Sequence, residues 1–228
     1  MNISFLTCMV MLFACLFSSF PANAGAPAEK PAMTQTVYIA MLYKKLLHQE
    51  PEFEAWAESM PEYKSAELYE RGDIMRRNLT DIKNTFKLLS PAEPVILNTM
   101  SPLGAYDTRT KSLLIKDFHE LTFFSYSYDG EDYAIIPHDI KNYRWIKVSP
   151  ALADIIWKES AQGKKINVQL TLQPRSADAE PIYLMGKSYH LLMMDVFKID
   201  LWSGDGRRLL WSSIYNSPAG NDLLTLHH

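Results

Sequence analysis

The chain is 228 residues long and 47% hydrophobic, with 23 Lys and Arg against 26 Asp and Glu for a formal net charge of −3. So mild a charge excludes a nucleic-acid-binding surface, since no basic cluster exceeds Arg76-Arg77, Lys164-Lys165 or Arg207-Arg208. The length suits one good-sized domain.

The N-terminus reads as a cleavable signal peptide over residues 1–24. An apolar run from Ile3 to Phe17 is followed by Pro21 and by Ala22-Asn23-Ala24, an A-x-A site that predicts a mature chain beginning at Gly25. The segment before the run carries no Lys or Arg and relies on the terminal amine for its positive end. As a retained anchor the run falls short of the about 20 residues that cross a bilayer. A second reading takes Leu12-Phe13-Ala14-Cys15 as a lipobox, leaving the protein lipid-anchored through Cys15; Phe13 is bulky for such a site. Cys8 and Cys15 are the only cysteines, so the mature chain has no disulfide and no thiolate chemistry. An exported domain that folds without disulfides points to a bacterial periplasm.

Residues 25–33 are a Pro/Ala leader expected to be flexible, and 34–228 a single α+β domain. A first helix is capped by Thr34 or Thr36, with Ile39, Leu42, Tyr43 and Leu46 on one apolar face. Pro51 opens a short helix through Phe53 and Trp56. From Glu62 to Leu89 the positions Leu68, Met75, Leu79, Ile82, Phe86 and Leu89 predict one long amphipathic helix, packed on a mostly antiparallel sheet, with Gly72-Asp73 as a weak point. Ser90-Pro91 ends it.

Strands follow. Val95-Ile96-Leu97 is a short one, Ser101-Pro102-Leu103-Gly104 a turn, and Lys111–Ile115 the return strand. Leu121–Tyr128 is an aromatic strand leading through Asp129-Gly130 to Tyr133-Ala134-Ile135-Ile136. Tyr143–Val148 is another strand, and Ser149-Pro150 caps a helix through Leu152, Ile155, Ile156 and Glu159. Strands over Lys165–Gln173, Tyr189–Trp202 and Arg207–Ile214 complete the sheet, with Pro174–Glu180 as a surface loop.

Catalytic motifs are absent: there is no G-x-S-x-G, S-x-x-K, H-E-x-x-H or phosphate loop. His119-Glu120, His138-Asp139, His190 and Asp195 stand as isolated candidates for metal or acid–base chemistry, and Asp107, Glu120, Asp139 and Asp195 as carboxylates that a fold might bring together. Neither a cofactor nor a metal is implied. The feature with most physical content is the hairpin from Trp202 to Trp211. A two-residue type I′ turn at Asp205-Gly206 would set Trp202 opposite Leu209 and place Trp202, Leu209 and Trp211 on one face with Lys198 and Asp200, an aromatic platform. Phe197, Ile199, Leu201, Leu210 and Ile214 would form the core face. The alternative is that another layer covers the indoles.

The succession of signal peptide, Tyr69-Glu70-Arg71-Gly72, Leu103-Gly104-Ala105-Tyr106-Asp107, Leu170-Thr171-Leu172-Gln173-Pro174 and a W-S-G-D-G-R hairpin resembles a family of uncharacterised secreted proteobacterial proteins of about this length. The resemblance covers most of the mature chain; it implies a bacterial envelope location and carries over no catalytic residue. The expected function is that of a non-catalytic exported binding or assembly protein, meeting an envelope protein or an apolar ligand. The rival is an envelope hydrolase built from the scattered carboxylates and histidines. A third reading pairs the long helix's stripe with another chain.

Overall fold

The computed structural model describes residues 34–160 and 165–214; the signal and leader segments, residues 1–33, and the terminal His227-His228 lie outside the described residues. The expected α+β class holds: helices flank a sheet whose strand order is β3-β4-β8-β6-β1-β2-β5, with β7 and β9 also paired to β8. Here β1 is Val95–Asp107, β2 Ser112–Ile115, β3 Phe124–Tyr128, β4 Glu131–His138, β5 Trp145–Lys147, β6 Lys165–Ala177, β7 Ile182–Leu184, β8 Lys187–Trp202 and β9 Leu209–Ile214. Every pairing is antiparallel except β4 with β8. No helix among the described residues is long and apolar enough to cross a membrane.

The first helix, α1 (Gln35–Leu46), follows Thr34 and carries Lys44 and Lys45 in its last turn, where they complement the helix dipole. Its packing exceeds the one apolar face that the spacing predicts. Ile39, Ala40, Met41, Leu42 and Tyr43 are consecutive and all at most 1% exposed. Such a run turns through more than a full helical turn, so cover is needed on every side. The sheet supplies it from β3, β6 and β8, and Lys45 Nζ donates to Phe86 O (3.1 Å) from the helical layer behind.

The predicted single helix over 62–89 is two: α3 (Pro61–Ser65) and α4 (Arg71–Leu88), separated by a turn in which Ala66 is extended. The stripe explains the break. Between Leu68 and Met75 the positions that should carry an apolar side chain hold Arg71 and Gly72, so no packing rewards helix there. Leu68 is 83% exposed, whereas Ile82, Phe86 and Leu89 are buried in the core. Nor does α4 lie chiefly on the sheet. It packs on α2 (Phe53–Ser59), with the Phe53 and Phe86 rings edge to face at 5.6 Å and Asn78 Nδ2 donating to Ala57 O (3.4 Å). The lower part of the stripe is therefore consumed within the chain, which removes the reading of a helix kept open for a partner.

Two expected loops are strand. Ser101–Gly104 belongs to β1, which changes partner at this point: Val95–Pro102 pairs with β6, and Leu103–Asp107 with β2 across an irregularity after Leu103. Gly104 is required by contact rather than by a turn, because a Cβ there would lie 2.4 Å from Leu114 Cδ2 and 2.7 Å from its Cβ. Pro174–Ala177 likewise continues β6, with register shifts after Thr171 and Pro174 absorbing the missing N–H. By contrast, the expected hairpin at Asp129-Gly130 forms, both residues having positive φ (52° and 78°) as a type I′ turn demands. Ser149 caps α5 (Pro150–Glu159) by accepting from Leu152 N.

Gly104→Ala is expected to destabilise the fold by about 1–3 kcal/mol through overpacking against Leu114. Urea unfolding measures it; an unchanged midpoint would show that the two strands separate freely at that point.

Candidate functional site

The hairpin residues Trp202, Leu209 and Trp211 do not share one face. Trp202 pairs with Leu209 as expected, but Leu201 pairs with Trp211, so Leu210 is an extra residue in β9. The bulge carries Trp211 to the side of Leu201, and both Leu210 and Trp211 pack on the main core. The turn is the cause. Only Gly206 has positive φ (73°), Gly206 N donates to Ser203 O (2.8 Å) and Ser203 N to Arg208 O (2.8 Å), a longer loop than the two-residue type I′ turn. Its tip is pinned by Gly204 N to Glu159 O (2.6 Å) and Arg208 to Glu159 (2.7 Å).

Phe197 also leaves the expected core face. Thr171 pairs with Lys198 and Leu172 with Val196, which leaves Phe197 as a bulge and 49% exposed. What survives of the platform is a row across the outer face of the sheet, Met100, Asn167, Trp202 and Leu209, in register from β1 to β9. Trp202 is half-buried, and its indole Nε1 has no hydrogen-bond partner among the described residues. Beneath it, Asp200 is buried and held by Lys198 (2.8 Å) and Ser212.

The concave feature lies at the end of that row. A pocket of about 340 Å³ is bounded by Thr99, Met100 and Ser101 of β1 and by the loop from Asp117 to Phe124. Side-chain bonds to the backbone hold this loop. Asp117 N donates to Ser101 Oγ (3.2 Å), His119 N to Thr122 Oγ1 (2.9 Å), and Leu121 N to His119 Nδ1 (3.2 Å), which places the neutral imidazole proton on Nε2. The turn buries Phe118 and throws Leu121 out, 82% exposed, beside half-buried Phe123 and Phe124. Phe123 in turn rests edge-on against Tyr189 (5.6 Å) in a small second apolar cluster. No β4, β6 or β8 residue lines the pocket, although those strands lie between β1 and β3 in the sheet order. The loop that joins β2 to β3 closes the opening against β1, and only Phe124 of β3 reaches it.

The densest polar cluster is elsewhere, where the end of α1 meets β4 and β8. Tyr43 donates to Asp178 O (2.8 Å), so its oxygen accepts from His190 Nδ1 (3.0 Å), whose Nε2 faces Glu131 at 3.7 Å. Tyr133 donates to the other Glu131 oxygen, and Lys44 approaches it at 3.9 Å. The rings of Tyr43, Tyr133 and His190 meet edge-on or tilted, with centroids 4.8–5.5 Å apart. Burial, and then the Glu131 hydrogen bond and charge, push the Tyr133 phenol far up; burial first and Glu131 second raise Tyr43 as well. Phenols so held are donors, not bases or nucleophiles, and the cluster locks α1 to the sheet.

Of the remaining candidates His138, Asp139 and Asp195 come together, and the others disperse. Asp107 accepts from Thr110 Oγ1, Thr110 N and Arg109 N in the turn after β1, bonds that lower its pKa. Glu120 pairs with Lys141 (2.9 Å). His138 meets its neighbour Asp139 (3.1 Å) and Asp195 (3.5 Å), which Arg175 also approaches at 3.5 Å, all about half exposed. Among the described residues no group of three or more His, Cys, Asp or Glu side chains is placed to hold a metal ion. His119, Phe123 and Phe124 are the pocket residues visible in the sequence; Ser101 was assigned to a turn, and Thr99 and Met100 fell between it and the expected Val95-Ile96-Leu97 strand. No protein-family model, curated protein or solved structure matches this chain.

The raised phenols make a pH prediction. A folded pKa above the unfolded value stabilises fully below about pH 10 and loses that contribution as pH rises beyond it. The urea midpoint should fall between about pH 9 and 11.5, less steeply in Tyr133→Phe; equal slopes in the two proteins would show that Tyr133 titrates normally in the fold.

Proposed function

We propose that this chain is an exported envelope protein that binds rather than catalyses, and that the pocket between β1 and the 117–124 loop receives an apolar group of its ligand or partner. One observation carries the reading: a rigid loop spends its hydrogen bonds on holding Leu121 in solvent beside Met100, Phe123 and Phe124. Exposing a large aliphatic side chain forgoes about 1.5–3 kcal/mol of burial, and in a fixed concave setting that is recovered on binding. The volume stands at the lower end of small-ligand sites. Export and a periplasmic setting rest on the N-terminal pattern of residues 1–24 and on the resemblance to secreted proteobacterial proteins. The acid–base candidates support the non-catalytic side, since they are committed to turns, ion pairs and the α1 lock.

The test uses the purified chain and the dye 1-anilinonaphthalene-8-sulfonate. Wild type should enhance its fluorescence saturably, and Leu121→Asp should weaken binding at least about tenfold with the thermal midpoint unchanged, because the side chain is exposed and contributes little to folding. Equal dye binding by the two proteins would sink the pocket as the site. N-terminal sequencing of protein recovered from bacterial periplasm should begin at Gly25; an intact Met1 would sink the export reading.

A further inference from the structure

The pocket opens beside a stretch of β1 whose outer side carries no strand. In an antiparallel ladder successive residues turn their N–H and C=O groups alternately toward and away from the partner. Two bonds set the phase in β1. The Ile96 carbonyl accepts from Gln35 Nε2 (3.1 Å), and the Pro102 carbonyl accepts from Lys116 N (3.0 Å). Neither donor belongs to β6, so the even-numbered residues of this stretch face outward. Asn98 and Met100 share that phase. The second neighbour, β2, pairs only from Leu103 onward and does not reach them. Their backbone groups have no backbone partner among the described residues, and both residues are exposed.

Open edges of this kind are ordinarily closed by proline, charge or a bulge. In β1 each device stops short of the gap: Gln35 covers Ile96, while Pro102 and the irregularity after Leu103 lie beyond Met100. What remains is two donors and two acceptors, in pairs spaced two residues apart along an extended strand, next to an apolar pocket. A small apolar ligand satisfies the pocket and none of the four backbone groups. Another extended backbone satisfies both. A side chain directly opposite Thr99 would lie on the same face as Thr99, the inner face shared with Val95 and Leu97, and so would enter the pocket against Phe118 and Phe124.

We infer that the β1 edge at Asn98–Met100 is a strand-addition site for an extended polypeptide segment, which sets one large apolar side chain opposite Thr99. The inference rests on the pocket being the binding site and names the class of partner it takes.

The experiment uses the ¹⁵N-labelled chain and the peptide acetyl-Thr-Val-Thr-Leu-Thr-Val-Thr-amide. Bound peptide should slow hydrogen exchange of the Asn98 and Met100 amides at least tenfold. Methylating the nitrogens of the two threonines that flank leucine should weaken binding about tenfold or more, since each lost backbone bond carries a severalfold factor. Asn98→Pro, outside the pocket lining, should weaken the peptide similarly and leave dye binding intact. That N–H points away from β6, and Pro102 already occupies the same phase, so the ladder survives the change. If Asn98→Pro does not fold, the methylated peptide still decides.

Dye binding without any slowing at Asn98 and Met100, or equal affinity for methylated and plain peptide, would overturn strand addition and leave the pocket standing. Loss of both dye and peptide binding would overturn the two readings together. A concentration-dependent dimer that protects the same two amides would assign the edge to a second copy and overturn the proposal.

Discussion

The fold depends on the burial of α1. Five successive residues from Ile39 to Tyr43 leave almost no surface in water, and each large one stabilises the fold by about 1.5–3 kcal/mol only if neighbours close over it. A helix apolar on all sides needs cover from more than one element. The strands β3, β6 and β8 supply part of it, and α2 and α4 pack on each other as a layer of their own. Burial also brings a polar obligation, because the Tyr43 hydroxyl needs partners. It finds them in Asp178 O, reached after β6 runs past Pro174, and in His190 of β8.

Two bulges in the long strands serve the same end. At Phe197 the extra residue in β8 lets Leu192, Met194 and Val196 face the core on one side of it and Ile199 and Leu201 on the other. At Leu210 the extra residue turns Trp211 inward. Without these offsets the period of two would send half of β8 to the wrong face. The cost falls on the surface, where Phe197 stands exposed and Trp202 keeps an indole N–H without a partner among the described residues.

The pocket is a consequence of partner exchange in β1 and of the loop that follows β2. One strand serves β6 with its first half and β2 with its second, so its outer edge is paired to a strand only from Leu103 onward. The chain then crosses from β2 to β3 through a loop braced by Ser101, His119 and Thr122. That loop and the open edge bound one cavity.

Local chemistry was legible in the sequence wherever one residue's conformation decides the outcome. Ser149-Pro150 set a helix start, Asp129-Gly130 a type I′ hairpin, and Trp202 its partner Leu209. Apolar spacing announced α1 and the buried lower half of α4. Tertiary structure alone decided whether Ser101–Gly104 turned or ran straight, since Pro and Gly suit both a turn and a strand edge, and the contact with Leu114 tips the balance. It alone decided the face of Trp211, because a bulge leaves no mark in a pattern of alternating residues. It also made the pocket, whose walls, β1 and the 117–124 loop, stand apart in the sequence.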